Sequence, residues 1–316
     1  MTDIDDGEIE AGAEEVARAV AERHVGATEH IAPLRGGLSN LAFDVATDRE
    51  RVAVRLADDP TKVEGFQRER QAADHARAAG VPTQEVVALG REGQWAYTIS
   101  RRLAGEPGVD HTDRLRILEE LGRLARLIHS VPTIGFGARF GWVRDATDET
   151  PPGCATWAAF LHQELDAGVR LARLVELEMI SGQQERALRD TLADVERWEG
   201  APVLNHGDLR LKNVVVDADG QILAVIDWES SISALGPHWD LSIALHDLSI
   251  DAKQAFLKGY GLPYDEVRGA APVWRLFNLL NYVPTIDQLV EANDVEELDR
   301  MRTRLSGALD LYGADV

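Results

Sequence analysis

A bilobal α+β fold is what this sequence predicts, with a small antiparallel sheet lobe carrying one packed helix and a larger, mainly helical lobe after it. Three observations carry that expectation. Short β-like runs fill residues 31–103 and are interrupted by a single helix-like segment at 61–79. Helical periodicity dominates beyond Leu103, with one hairpin pattern as the exception. Between the two, Ala104-Gly105-Glu106-Pro107-Gly108 punctuates the change and divides the chain into 1–103 and 104–316. At 316 residues there is enough chain to bury a core in each part.

Each element follows from local pattern. Ile9, Ala13, Val16 and Val20 recur at helical spacing, so 8–24 reads as a surface helix with one apolar stripe. The runs IAPL, LAFDVAT, RVAVRL, EVVAL and WAYTIS read as strands. The helix at 61–79 is closed by Gly80 and by Val81-Pro82, a C-terminal stop signal. In the second part, helices are expected at 113–129, 157–180 and 183–199 and in several segments beyond Trp239. VVVD and QILAVID, joined by Ala218-Asp219-Gly220, read as a hairpin with Asp-Gly at the second and third positions of its turn. Residues 132–153 are rich in Gly and Pro and read as a long irregular connection, placed on the substrate side.

Composition excludes several classes. The formal net charge is −21, and of 33 basic residues only Lys62, Lys212, Lys253 and Lys258 are lysines, with no basic run. A nucleic-acid backbone would be repelled, so no nucleic-acid partner is expected. There is no apolar run of roughly eighteen residues, so no membrane partner is expected either. The acidic start MTDIDDGEIEAGAEE lacks the basic and apolar character of a targeting segment, which leads to a cytoplasmic expectation. Cys154 is the one cysteine and can form no internal disulfide.

The chemistry is concentrated between Leu204 and Asp240, in LNHGDLRLKNVVVDADGQILAVIDWESSISALGPHWD. Phosphoryl transfer needs a carboxylate to orient the attacking hydroxyl and oxygen ligands to hold magnesium against the phosphates. His206-Gly207-Asp208 is followed after four residues by Asn213 and, past the hairpin, by Asp227. That order and spacing is a kinase catalytic loop running into a metal-binding turn. Asp208 would steer the acceptor proton, and Asn213 and Asp227 would ligate Mg²⁺, a hard ion suited to such oxygens.

With these motifs the chain resembles the aminoglycoside phosphotransferase and choline kinase superfamily, whose members carry H-G-D-x-x-x-x-N followed by I-D-W or I-D-x-E. The resemblance covers the N-terminal lobe and catalytic core and fades across 130–200 and beyond 250. It implies a protein-kinase-like fold with a nucleotide-binding lobe at 1–103 and a catalytic and substrate-binding lobe at 104–316. It also implies that His206 braces the loop and that Asp240 holds the loop backbone from the next helix. Arg210, two residues past Asp208, falls where protein kinases set a lysine against the γ-phosphate and is a catalytic candidate.

The first lobe supplies the other half of the constellation. In Leu34-Arg35-Gly36-Gly37-Leu38-Ser39-Asn40, Gly36, Gly37, Ser39 and Asn40 lie between two β runs where backbone N–H groups could approach phosphates. Val52-Ala53-Val54-Arg55 then aligns with the V-A-I-K strand of kinases, with Arg55 in place of lysine and Glu69 where its partner belongs. A planar guanidinium preserves the charge but not the donor geometry of an ammonium. Thr98–Leu103 resembles the linker whose backbone reads a purine, which assigns Ser100, Arg101 and Leu103, with Ala53 and Ile226 as apolar covers. ATP and GTP both remain open as phosphate donor.

Rival readings are narrower. No G-x-x-x-x-G-K-[ST] stretch occurs, which removes the P-loop class. Gly135-Phe136-Gly137 follows a helix and not a strand, so it is loop punctuation and not a dinucleotide fingerprint. A protein kinase is opposed by Gly207, which stands where an arginine reads activation-loop phosphate, and by the mere twelve residues between Asp227 and Asp240. A catalytically inactive nucleotide-binding regulatory module is opposed by the retained Asp208, Asn213 and Asp227. The acceptor expected is a small-molecule hydroxyl: an aminoglycoside or other antibiotic, or choline, a sugar or an amino alcohol. Glu164, Asp166, Asp287, Glu291 and Asp294 suggest a carboxylate-lined pocket for a cationic acceptor. Asp287, Glu291 and Asp294, spaced i, i+4 and i+7, would share a helical face, with Asp287 and Glu291 as the substrate contacts. Oligomeric state is not legible.

Overall fold

The computed structural model describes residues 6–34, 41–143 and 153–310. Helix α1 (Asp6–His24) opens the fold and buries Ala13, Ala17, Val20 and Ala21 completely. Small side chains on that stripe let the helix lie close on the sheet behind it. The sheet begins with β1 (Thr28–Pro33), β2 (Leu41–Thr47) and β3 (Arg51–Ala57). Helix α2 (Val63–Ala78) follows, then β4 (Val86–Glu92) and β5 (Trp95–Arg101). The order is β1-β2-β3-β5-β4, antiparallel throughout. Alternation along β3 sends Val52, Val54 and Leu56 into the core shared with α1, and Ala53 and Arg55 to the other face.

Helix α2 joins the two lobes. Asp59 caps the short turn before it, accepting from the Thr61 N–H at 2.8 Å, and Pro60 fits the first position of that turn. Val63 and Phe66, in its first half, pack with Ala57 and Ala96 of the sheet. Ala72, Ala73 and Ala76, in its second half, enter the core of the larger lobe. Glu69 therefore stands at the crossing point between the lobes.

The larger lobe starts with β6 (Glu106–Pro107), which joins a hairpin described below, and α3 (Arg114–Ile128). Ile117, Leu118, Leu121, Leu124, Ala125 and Ile128 are the buried stripe of α3. Strands β7 (Thr133–Ile134) and β8 (Gly141–Trp142) give the expected irregular connection a little order. The single helix expected at 157–180 is broken. A short α4 (Trp157–Ala159) widens into a π-turn at Phe160–Glu164, Asp166 turns left-handed at φ 51°, and α5 (Ala167–Glu176) resumes. No proline or other breaker announces this. The break lets the Glu164 carboxylate accept the Ala138 N–H at 2.6 Å. Helix α6 (Gly182–Val195) is started by a capping box between Ser181 and Gln184.

Strand β9 (Pro202–Asn205) leads into the catalytic loop, and β10 (Val214–Val216) and β11 (Ile222–Val225) form the expected hairpin. Its turn sits one residue earlier than expected. The Gly220 N–H donates to the Asp217 carbonyl at 2.9 Å, so Asp219-Gly220 fill the third and fourth positions, with Gly220 at φ 71°. Strand β12 (Ile232–Leu235) pairs antiparallel with β9, a four-residue ladder that local pattern did not reveal. Four helices complete the described residues: α7 (His238–Ala244), α8 (Ile250–Tyr260), α9 (Tyr264–Glu291) and α10 (Val295–Asp310). α3 and α8 cross at a glycine contact, where a Cβ on Gly259 would come within 1.7 Å of the Glu119 carbonyl. Among the described residues no helix is long and apolar enough to cross a membrane.

Candidate active site

The catalytic loop hangs from one buried carboxylate. Asp240, on the first turn of α7 and fully buried, accepts the His206 and Gly207 N–H groups at 2.7 Å each. His129 Nε2 stands 3.1 Å from the same carboxylate, and His129 Nδ1 stands 3.1 Å from the Tyr260 hydroxyl. Burial works to raise the Asp240 pKa, but the His129 hydrogen bond, the His129 and His206 charges and the loop amide hold it below the ordinary carboxylate value. His206 Nε2 is 3.0 Å from the Ile226 carbonyl, and so fastens the loop to the residue before Asp227. Gly207 adopts φ 85°, and a Cβ there would lie 1.8 Å from the Ser230 carbonyl, so the arginine of protein kinases has no room.

Asp208 projects from this frame with its side chain 16% exposed. Asn213 Nδ2 donates to the Asp208 carbonyl at 2.8 Å and to its Oδ2 at 2.9 Å. Lys212 Nζ lies 2.9 Å from Oδ2, and the Arg210 guanidinium pairs with Oδ1. Lys212 escaped the sequence reading, because a lysine four residues past the aspartate looks like any surface cation. The Asn213 carbonyl accepts the Ile226 N–H at 2.9 Å, which ties the loop to the turn at Asp227.

Asp227 sits in the left-handed region at φ 68° and ψ 58°. On the opposite wall, Arg55 Nη2 pairs with Glu69, and its guanidinium lies 5.3 Å from the Phe66 ring centroid. Burial opposes the Arg55 charge, yet Glu69, Asp227 and Glu229 more than offset it and raise its pKa. Glu229 keeps contact with solvent, but burial of its carboxyl, with Asp227 and Glu69 nearby, pushes its pKa up. Three carboxylates thus face one arginine. That excess of negative charge, with the Asp227 oxygens and the Asn213 side-chain oxygen, suits a hard divalent cation. Among the described residues no three His, Cys, Asp or Glu side chains form a ligand cluster. Mg²⁺ would therefore be held jointly with phosphate oxygens and water.

The remaining expected residues fall as follows. Ala53 shares with Arg55 the face of β3 turned away from the α1 core, and Ile226, half-buried, precedes Asp227. Ser100 lies within β5, in register with Ala53 and Val86. The Arg101 N–H donates to the Glu85 carbonyl at 3.0 Å, and its carbonyl accepts from Gln84 Nε2 at 2.9 Å. Leu103 makes no main-chain hydrogen bond among the described residues. Gly36, Gly37, Ser39 and Asn40 lie outside the described residues. Asp287 pairs with Arg173 at 2.8 Å, and Glu291 is exposed at the last residue of α9. Helix α9 ends there, so Asp294 does not share its face and instead accepts the Glu297 N–H at 3.1 Å.

A two-lobed α+β body with a carboxylate loop and a second carboxylate turn near an Arg–Glu pair of the smaller lobe is the architecture of kinase-like phosphotransferases. Residues 30–275 match the model of the APH phosphotransferase enzyme family, and the chain belongs to that family. None of the curated proteins matches it. Among solved structures, aminoglycoside phosphotransferase APH(4)-Ia superposes with a TM-score of 0.71 at 20% identity, covering 96% of this chain and all of that one. A thermostable mutant of it, in ternary complex with ADP and hygromycin B, gives 0.70 at 21%, covering 96% and 100%. A type VIII aminoglycoside-3'-phosphotransferase gives 0.56 at 21%, covering 85% and 98%. At such identities the likeness establishes the fold.

Proposed function

We propose that the protein transfers the γ-phosphoryl group of ATP or GTP, with Mg²⁺, to a hydroxyl of a small molecule. The observation that carries this reading is the state of Asp208. Its carboxylate is fixed at Oδ2 by Asn213 and Lys212 and at Oδ1 by Arg210, on a loop suspended from Asp240. A carboxylate so placed orients a hydroxyl and accepts its proton as the bond to phosphorus forms. Arg210 and Lys212 neutralise charge developing on the transferred group. Mg²⁺, held by Asn213 and Asp227, would supply further charge neutralisation at the phosphates. Arg55, braced by Glu69, would align the donor phosphates, and the free main-chain groups of Leu103 would meet the base between Ala53 and Ile226. Gly36 and Gly37, with Ser39 and Asn40, would cover the phosphates. The neighbours APH(4)-Ia and fructosamine-3-kinase-like chains differ in their acceptors, so the family leaves the acceptor open.

The direct test is Asp208→Ala. Nucleotide affinity is expected to stay within about twofold, because the residue faces the acceptor, while transfer falls by roughly 10²–10⁴. Release of the nucleoside diphosphate, ADP from ATP or GDP from GTP, measured against hydroxyl-bearing sugars, amines, acids and nucleosides reads both. A variant that keeps more than a few per cent of wild-type turnover would remove Asp208 from the mechanism.

A further inference from the structure

Cations gather near Asp208, where Arg210 and Lys212 pair with its carboxylate. Arg304, on α10, holds its guanidinium 5.5 Å from the Tyr282 ring centroid and pairs with Asp247. The His246 ring packs on Tyr282 from another side, with centroids 5.0 Å apart. Tyr282 lies within electrostatic reach of both Asp208 and Arg210, and Arg210 acts on Arg304 as well. Lys253, Arg210 and Arg304 all bear on His246. Three cations thus meet two carboxylates, Arg210 and Lys212 on Asp208 and Arg304 on Asp247, in a protein of net charge −21.

His246 adds an independent sign. It is 6% exposed, and its Nε2 is buried with no hydrogen-bond partner. Asp247 Oδ1 is 3.1 Å away, but off the direction that a hydrogen bond requires. A buried donor or acceptor left in that state waits for a ligand or for water. Of the carboxylates expected to receive a cationic acceptor, Asp287 pairs with Arg173, Glu164 accepts the Ala138 N–H and Asp294 accepts the Glu297 N–H, while Glu291 is exposed.

We propose that the acceptor bears an oxyanion, a carboxylate or a phosphate monoester, which Arg304 receives over the Tyr282 ring beside the catalytic loop. This rests on the phosphotransferase reading and narrows its substrate class. Arg304 offers planar paired donors suited to such a group, and its present partner Asp247 is the carboxylate the ligand displaces. The aromatic face beneath sets the distance between the anion and the hydroxyl presented to Asp208.

The test uses the whole protein saturated with Mg²⁺ and AMP-PNP, so that the phosphate positions are filled. Sulfate and D-glycerate are titrated calorimetrically into wild type, Arg304→Gln and Asp247→Asn. Arg304→Gln is expected to weaken both probes about tenfold, and Asp247→Asn to tighten them about threefold, with AMP-PNP affinity within about twofold throughout. A purely structural role would move both variants in the same direction. In parallel, ADP release is compared across D-glycerate, glycerol and ethanolamine, and across gluconate, glucose, glucosamine and glucose 6-phosphate. Preference for the acids or the phosphate ester supports the proposal and tells the two sources of negative charge apart. Absence of sulfate binding, equal loss in both variants, or preference for the amines overturns it. Failure to bind AMP-PNP would instead count against the phosphotransferase reading.

Discussion

Replacing Asp240 by asparagine isolates what suspends the catalytic loop. Asp240 is fully buried and accepts the His206 and Gly207 N–H groups, both at 2.7 Å, with His129 Nε2 at 3.1 Å. An amide of the same shape keeps one acceptor oxygen and turns a donor toward one of the loop N–H groups. One charge-assisted bond is lost, another is weakened to a neutral bond, and an N–H is left buried without a partner. Together these cost about 3–5 kcal/mol, which lowers the melting temperature by roughly 6–10 °C for a protein of this size. A displacement of the loop by about 1 Å costs on the order of 10²-fold in turnover, although Asp208 itself is intact. Circular dichroism melting and ADP release at about pH 7.5 measure the two effects. The folded-state pKa of Asp240 is depressed, so its contribution is present above the unfolded value and lost as pH falls through the folded one. The gap between variant and wild type should therefore close in acid. A variant melting within about 1 °C of wild type with undiminished turnover would refute the suspension argument.

Burial lowers the pKa of His238 to about 4 and that of His246 to about 3, so both stay neutral in the fold at pH values where unfolded chain is protonated. Stability should fall as pH drops from about 6.5 toward 4, by up to about 1.4 kcal/mol per pH unit for each histidine; denaturant midpoints that stay flat across this range would contradict the assignment. Arg55→Met should raise the nucleotide KM and depress kcat, and Arg55→Lys should recover only part, because an ammonium cannot reproduce the guanidinium's paired donors toward Glu69 and phosphate. Unchanged kinetics in Arg55→Met would make the pair a structural one.

Much of the architecture was legible because its signals are local. Alternating runs gave the five strands, Gly80 and Val81-Pro82 closed α2, and Asp208, Asn213 and Asp227 lie within twenty residues of one another. What escaped depends on distant partners or on very short elements. β9 and β12 have four residues each and make sense only as a pair. His129 ends α3 like any helix-terminal residue, and its use becomes visible only when Asp240, far along the chain, is placed against it. The π-turn after α4 has no breaker in its sequence, and its effect, the Glu164 contact to Ala138, joins segments 26 residues apart.

Charge placement is where sequence and structure part most. With 54 acidic residues against 33 basic ones, almost any helix in the second lobe carries carboxylates at helical spacing, so Asp287 and Glu291 look like a cation site by composition alone. In the fold a charge matters for recognition by the field it leaves uncancelled, and that of Asp287 is partly offset by Arg173, which also pairs with Glu176. The scarce cations do the reverse. Arg210 and Lys212 meet on Asp208, while Arg304 arrives from α10 to a contact with Asp247 that spans 57 residues. In a strongly acidic protein a handful of cations gathered at one loop is a sharper signal than many anions spread over the surface. It is also the signal that a Debye length of about 8 Å at physiological salt leaves intact, since the contacts are short and partly buried while the surface excess is screened. An anion steered away by the bulk of the protein is thus accepted at this loop.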